Sequence, residues 1–166
     1  MSDTITIRPA TRDDVPLVLR FIRDLARYER LEHEVSASEA QLREALFGER
    51  RYAEVVFACS GGEPVGFALF FHNFSTFKGR PGIYLEDLFV RPEARGQGIG
   101  KQLLAHLART AVERQCARLE WAVLDWNEPS IGFYRSLGAV PLDEWTIFRL
   151  TGESLALLAG SAGAKS

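Results

Sequence analysis

The chain has only two cysteines, one methionine and three histidines in 166 residues. Two thiols, Cys59 and Cys116, both in apolar stretches, are too few for a disulfide scaffold and fit a reducing cytoplasm. His33, His72 and His106 stand apart without metal-ligand spacing, so no metal is expected. No apolar run approaches membrane-spanning length, and the polar start MSDTITIRPA does not read as a signal peptide. An excess of one charge is missing too. With 20 basic and 22 acidic residues the formal net charge is −2, which argues against bulk electrostatic binding to nucleic acid or to an anionic membrane. Any ion-binding site must therefore be local.

What is present is a chain 46% apolar and 25% charged, enough to bury the core of one domain over residues 1–160 with a flexible tail at 161–166. TITIRPA alternates like a strand. The next segment places Val15, Leu19, Ile22 and Leu25 or Ala26 on one helical face, with Asp13 as N-cap and Pro16 in the first turn. Ser36 and Glu39 have capping-box spacing for a second helix that Gly48 closes. AEVVFACS, the turn GGEP and VGFALFFHNF read as a hairpin, and GIYLEDLFV as a further strand. Ile99, Leu103, Leu107 and Ala111 mark a helix, RLEWAVL a strand, NEPSIGFYRSLG a helix between Asn127 and Gly138, and DEWTIFRL a last strand.

RGQGIG, at 95–100, packs three glycines just before the helix that begins near Ile99. The dinucleotide fingerprint fits Gly96 and Gly98 but meets Lys101 where it needs its third glycine. The P-loop pattern meets Arg95 in place of its first glycine and Gln102 in place of its hydroxyl. What survives is the physics common to both: glycines let backbone N–H groups approach an anion, and a helix N-terminus adds partial positive charge.

RGQGIG after the strand YLEDLFV, with WNEPSIGFYRSLGA further on, resembles the acetyl-CoA motif and tyrosine-bearing helix of the GNAT N-acetyltransferase superfamily. Within it the chain is similar to the spermidine/spermine (diamine) and thialysine acetyltransferases, through LARYERLE, YLEDLFV, RGQGIG and WNEPSIGFY in that order, across residues 5–158. The superfamily pattern [QR]-x-x-G-x-[GA] is met by Arg95, Gly98 and Gly100. The resemblance implies a mixed α/β fold, with a mostly antiparallel twisted sheet of six to seven strands flanked by about four helices. It also implies that acetyl-CoA is the co-substrate and that the protein is a homodimer.

The resemblance implies a role for each matched residue. The amides of Gln97, Gly98, Ile99, Gly100 and Lys101 would face the pyrophosphate of coenzyme A, Gly96, Gly98 and Gly100 would allow the approach, and Arg95 or Lys101 would add a charge. A solvated helix start accounts for those two cations equally well. Leu88, Phe89 and Val90 would lend main-chain groups to the pantetheine arm. Asn127 is complete as an N-cap, and the resemblance adds a cofactor contact there and at Ser130.

Transfer to an amine needs the neutral amine, and an alkylammonium with pKa near ~10.4 costs about 4–5 kcal/mol to present neutral at pH 7. Read alone, Glu86 and Asp87 are an exposed strand end; the resemblance makes Glu86 the base, directly or through water. Asp87 would point to the opposite face of a regular strand, and a bulge would change that parity. Tyr134, which is helix filler on spacing alone, matches the family's general acid for the departing thiolate. Tyr28 and Glu29 match the substrate side, whereas Glu32 and Glu34 carry no such match. Trp121 aligns with a second substrate-side stretch, where an ordinary buried strand residue would also serve. Leu137 departs from the more basic pattern of the diamine enzymes, so no phosphate contact is assigned to it. The reading is acetyl transfer to a primary amine of a small cationic metabolite (diamine, polyamine or thialysine-like amino acid) by direct attack in a ternary complex. The alternatives are a protein amine as acceptor, or a catalytically silent CoA-binding sensor, against which Glu86 and Tyr134 both speak.

Overall fold

The computed structural model describes residues 3–163 and divides at Leu124 and Asp125 into two compact units. The N-terminal unit is built on a five-stranded sheet in the order β1 (Ile5–Pro9), β2 (Glu54–Ser60), β3 (Glu63–Ser75), β4 (Arg80–Val90) and β5 (Leu119–Trp121). The first three pairings are antiparallel and β4 with β5 is parallel. Gly61 and Gly62, both at positive φ, make the tight turn between β2 and β3 that the sequence announced. The count falls short of six to seven strands. DEWTIFRL forms no strand: residues 143–150 are exposed throughout and pair with no ladder. Alternating apolar residues specify a surface that fits a sheet, but a strand exists only where a neighbour takes up its hydrogen bonds.

Helix α1 (Val15–Tyr28) starts one residue later than expected. Asp14, not Asp13, is its N-cap, preceded by a 3₁₀ turn in which the Thr11 amide donates to the Asp14 carboxylate at 2.7 Å. Arg8 on β1 closes on the same carboxylate at 2.8 Å, and this hydrogen bond holds Asp14 down to about 2. Helix α2 (Glu39–Phe47) likewise begins from Ser38 with Gln41 as the reciprocal partner, two residues beyond the Ser36–Glu39 pair, and ends at Gly48. Both pairs satisfy the same spacing rule, so the pattern alone cannot rank them.

One face of the sheet, through Val55, Phe57, Phe67 and Phe89, packs on Val18 and Phe21 of α1 and Leu46 of α2. The alternate residues Val56, Ala58, Ala68 and Phe70 are equally buried and point the other way, toward α3 (Ile99–Glu113), which buries Ile99, Leu103 and Leu107. Phe21 is the centre of the first face: its ring is 5.1 Å from Phe67, 5.9 Å from Phe57 and 6.4 Å from Phe89, with the Arg91 guanidinium 5.0 Å from its centroid.

The C-terminal unit holds α4 (Glu128–Ser136) and a fifth helix, α5 (Gly152–Gly160), one more than expected. Asn127 caps α4 as read, its side chain accepting from the Ser130 amide at 3.4 Å, and Gly138 leaves the helix at φ 88°. Of the expected tail, Ser161–Gly163 form a turn and residues 164–166 lie outside the described residues.

Because three aromatic contacts and a cation converge on one fully buried ring, Phe21→Ala is expected to cost about 3–5 kcal/mol. Urea unfolding checks this, and a loss under about 1 kcal/mol would show that the face collapses around the gap.

Candidate functional site

The β3–β4 ladder runs regularly from Ser75↔Arg80 to Phe70↔Leu85, then resumes at Leu69↔Asp87. Glu86 is the residue left over, a β-bulge. A regular strand would send Glu86 and Asp87 to opposite faces; here both line one open pocket of about 410 Å³ together with Glu29, Glu34, Ile22 and Leu25. The end of α1 delivers Glu29, because the helix stops at Tyr28 and the chain turns sharply at Arg30, a non-glycine residue at φ 62°.

This pocket is negative. Among the described residues Glu29, Glu86 and Asp87 make no ion pair with a cation. Burial, reinforced by Glu86 and then Glu29, pushes the Asp87 carboxyl up to about 7. Burial, reinforced by Glu86, also raises Glu29. Glu32, by contrast, is taken by Arg27 at 3.0 Å just beyond the end of α1, in keeping with its lack of a substrate-side match. Two contributors escaped the sequence reading. Glu34 lines the pocket although no motif marks it. Tyr84, whose phenol is raised by burial, Glu86 and Glu120, lies two residues before Glu86. Alternation backward from Glu86 was the signal for Tyr84; Glu34 carried none.

Across β4, strand register separates the residues of β5. Glu120 pairs with Tyr84 and Trp121 with Leu85, so Trp121 faces away from the side that carries Tyr84. Glu120 is bound to Arg118 and accepts from Asn73 Nδ2 at 3.3 Å.

β5 pairs with β4 only over Ile83–Leu85. From Glu86 to Val90 that edge of β4 therefore has no neighbouring strand among the described residues, and Leu88, Phe89 and Val90 are held by β3 on the other side alone. Beyond Val90 a 3₁₀ turn at Pro92–Ala94 leads into the glycine loop. Gly96 and Gly98 adopt φ 78° and 77°, which side-chain-bearing residues rarely adopt, and Gly98 is the N-cap of α3. Gly100 needs no such dihedral, but a Cβ there would meet nothing within 4 Å, so the space above the helix start is open. The first helical bond runs from the Gln102 amide to the Gly98 carbonyl at 3.0 Å, so the Ile99, Gly100 and Lys101 amides precede the ladder. Gln97 and Lys101 are exposed beside them. Open amides, positive-φ glycines and an unpaired strand edge fit a pyrophosphate with an amide-bearing arm. Arg95 does not reach over this loop. Its guanidinium lies 5.0 Å from the Tyr28 ring centroid and 5.2 Å from that of Phe89, and its Nε donates to the Val90 carbonyl at 2.9 Å.

In the C-terminal unit, taken by itself, Asn127 is buried, and Tyr134 is half-buried on α4 with its ring centroid 5.7 Å from that of Phe133.

The Acetyltransferase (GNAT) family model matches residues 19–139. The chain belongs to that family. As a GNAT acetyltransferase it is an acyltransferase enzyme of a family that uses acetyl-CoA as co-substrate. It is 42% identical to a thialysine N-epsilon-acetyltransferase of Bos taurus, over 94% of this chain and 98% of that one. It is 32% identical to an L-ornithine N5-acetyltransferase of Arabidopsis thaliana, over 90% and 85%. Among solved structures it resembles an integron cassette protein from the mobile metagenome of V. cholerae, with a TM-score of 0.78 and 34% identity over 93% of this chain and 97% of that one.

The raised Asp87 carboxyl makes stability depend on pH. Its folded value lies above the ordinary one, so the stability it contributes is complete at low pH and is lost as pH rises through about 7. Asp87→Asn removes that loss. Its thermal midpoint is expected to exceed wild type by a few degrees at pH 8, with the gap closing toward pH 4. A gap that stays constant across that range would mean that Asp87 is an ordinary carboxylate.

Proposed function

We propose that this GNAT enzyme transfers acetyl from acetyl-CoA to a primary amine of a small cationic metabolite, a diamine, polyamine or thialysine-like amino acid, by direct attack in a ternary complex. The observation that carries the reading is the pocket lined by Glu29, Glu86 and Asp87 in a chain whose net charge is only −2. Three carboxylates without a cation are costly together, and that cost is relieved by a ligand bearing positive charge. Two relatives are named for transfer to N-epsilon of thialysine and N5 of ornithine, which supports a basic amino acid or diamine as acceptor.

We assign the roles from the matched residues as follows. The amides of the loop from Gln97 to Lys101 and the β4 edge at Leu88, Phe89 and Val90 bind acetyl-CoA, with Asn127 and Ser130 contributing from α4. Bound there, acetyl-CoA supplies an activated thioester. Glu86, bulged toward the pocket, accepts the proton of the ammonium, directly or through water. Glu29, Tyr28 and Asp87 hold the substrate's remaining charge, with Trp121 retained as a more distant substrate-side candidate on the other face of β5. Tyr134 holds a proton for the departing thiolate.

We further read residues 1–160 as a single domain, because the family match at 19–139 runs through the junction of the two units. A homodimer is supported by the C-terminal unit itself. Trp145, Ile147 and Phe148 are 76%, 81% and 92% exposed along one extended segment, more than a monomer ordinarily leaves in water. A cytoplasmic location is supported by two free cysteines, and no helix of the described residues is long and apolar enough to cross a membrane.

The deciding measurement is release of CoA thiol across a panel containing diamines, polyamines, ornithine, thialysine, a neutral monoamine and a lysine peptide. At least one doubly charged amine is expected to exceed the monoamine about tenfold in kcat/KM, a difference of roughly 1.4 kcal/mol. Glu29→Gln should erase that preference mainly through KM, since a remote ammonium is held equally before and during reaction. No turnover with any member, or a preference for the peptide, would overturn the small-cation reading.

Tyr134→Phe keeps the ring and deletes only the hydroxyl. Stability and acetyl-CoA affinity are expected to hold while kcat at saturating amine falls by about 10²-fold, the low end for acid catalysis because a thiol with pKa near ~8.5 already leaves tolerably. An unchanged kcat across the pH profile would leave Tyr134 as packing.

A further inference from the structure

Arg95 occupies an unusual position for the residue that opens a glycine loop. It follows the 3₁₀ turn at Pro92–Ala94 and immediately precedes Gly96, yet its side chain runs back to the sheet and the first helix. Its Nε donates to the carbonyl of Val90, the last residue of β4, at 2.9 Å. Its guanidinium carbon is 5.0 Å from the Tyr28 centroid and 5.2 Å from the Phe89 centroid, and the two rings are themselves 6.5 Å apart at 58°. Tyr28 is the final residue of α1, and its neighbour Glu29 lines the carboxylate pocket. Phe89 lies two residues beyond Asp87 on β4 and is buried. One planar cation therefore touches the end of the helix that presents Glu29, the strand that presents Glu86 and Asp87, and the start of the loop whose amides precede the helical ladder.

We propose that Arg95 is a positioning residue that couples the anion-binding loop to the amine-side end of α1. The inference rests on the acetyl-CoA reading above. A cation held over two rings and pinned by a main-chain acceptor has a defined place, and a guanidinium suits this because its plane stacks while its edge donates. If the Tyr28 stack shifts, the pinned side chain shifts with it, and so does the backbone one residue before Gly96. Binding of coenzyme A at the loop and of the amine beside Glu29 are then linked, and linkage of this kind is reciprocal. A different use of Arg95, as a plain charge for the pyrophosphate, makes other demands. It would need only the positive charge, would be served by lysine, and would ignore Tyr28.

Calorimetry of CoA binding to wild type, Arg95→Lys, Tyr28→Leu and the double variant, without amine, separates these. Each single variant is expected to weaken CoA by about fivefold or more, although Tyr28 lies on α1 and Arg95→Lys keeps the charge. The double variant should be no more than about twofold weaker than the worse single, because both remove the same stack. In wild type, ornithine or a diamine should tighten CoA binding, and this tightening should vanish in Arg95→Lys. Thermal midpoints taken alongside identify any variant that fails to fold, and the remaining single variant still decides. The inference is overturned if Tyr28→Leu binds CoA like wild type, if Arg95→Lys does so, or if the two losses multiply in the double variant. Wild-type protein that binds no CoA sinks the acetyl-CoA reading and this inference with it; wild-type binding with independent losses sinks this inference alone.

Discussion

A single surplus residue in β4 organises the functional end of the sheet. With Glu86 unpaired between the Phe70↔Leu85 and Leu69↔Asp87 registers, Asp87 is carried to the face covered by α1 while Leu85 stays on the face covered by α3. β5 stops pairing at Leu85, one residue before the bulge. The same irregularity thus coincides with two features: carboxylates gathered beside Glu29 and a strand edge from Glu86 to Val90 open for a guest. Removing one residue from β4 would restore a regular ladder and scatter both.

Several carboxylates elsewhere in the molecule have a cationic partner. Arg8 holds Asp14, Arg27 holds Glu32, Arg114 grips Glu54 with both terminal nitrogens at 2.7 and 2.9 Å, and Arg118 holds Glu120. Glu29, Glu86 and Asp87 share one pocket without a cation, and burial, reinforced by Glu86 and then Glu29, raises the Asp87 carboxyl. Folding alone would favour an amide at that position. Under the proposed function a cationic ligand would supply the missing partner and relieve that cost on binding.

Much of this was legible before any coordinates. The glycine loop, the hairpin turn and the Asn127 cap each depend on local chemistry that a few adjacent residues determine, and each stands where the sequence put it. The misses share a different cause. Ser36–Glu39 and Ser38–Gln41 obey one rule, and only the packing of α2 chooses between them. DEWTIFRL has the composition of a strand, yet whether a strand forms depends on a partner that no local pattern encodes. The side to which Asp87 points was undecidable for the same reason, because a bulge is a property of the register between two strands. Glu34 reaches the pocket through the fold of the α1–α2 connection, which carries no motif.

The loop itself shows why a glycine-rich motif is more than a flexible hinge. Gly96 and Gly98 are required by their dihedrals, whereas Gly100 sits in a helical conformation and keeps space clear. The segment between them is tied at both ends. Arg95 is fixed to Val90 and to two rings, and the Gly98 carbonyl already accepts the first bond of α3. Only Gly96 and Gln97 lie between these anchors, so few backbone dihedrals would remain to be frozen by the anion proposed to bind there. Affinity at such a site comes from amides already aimed and little entropy left to lose, with glycine supplying the shape and the flanking contacts the rigidity.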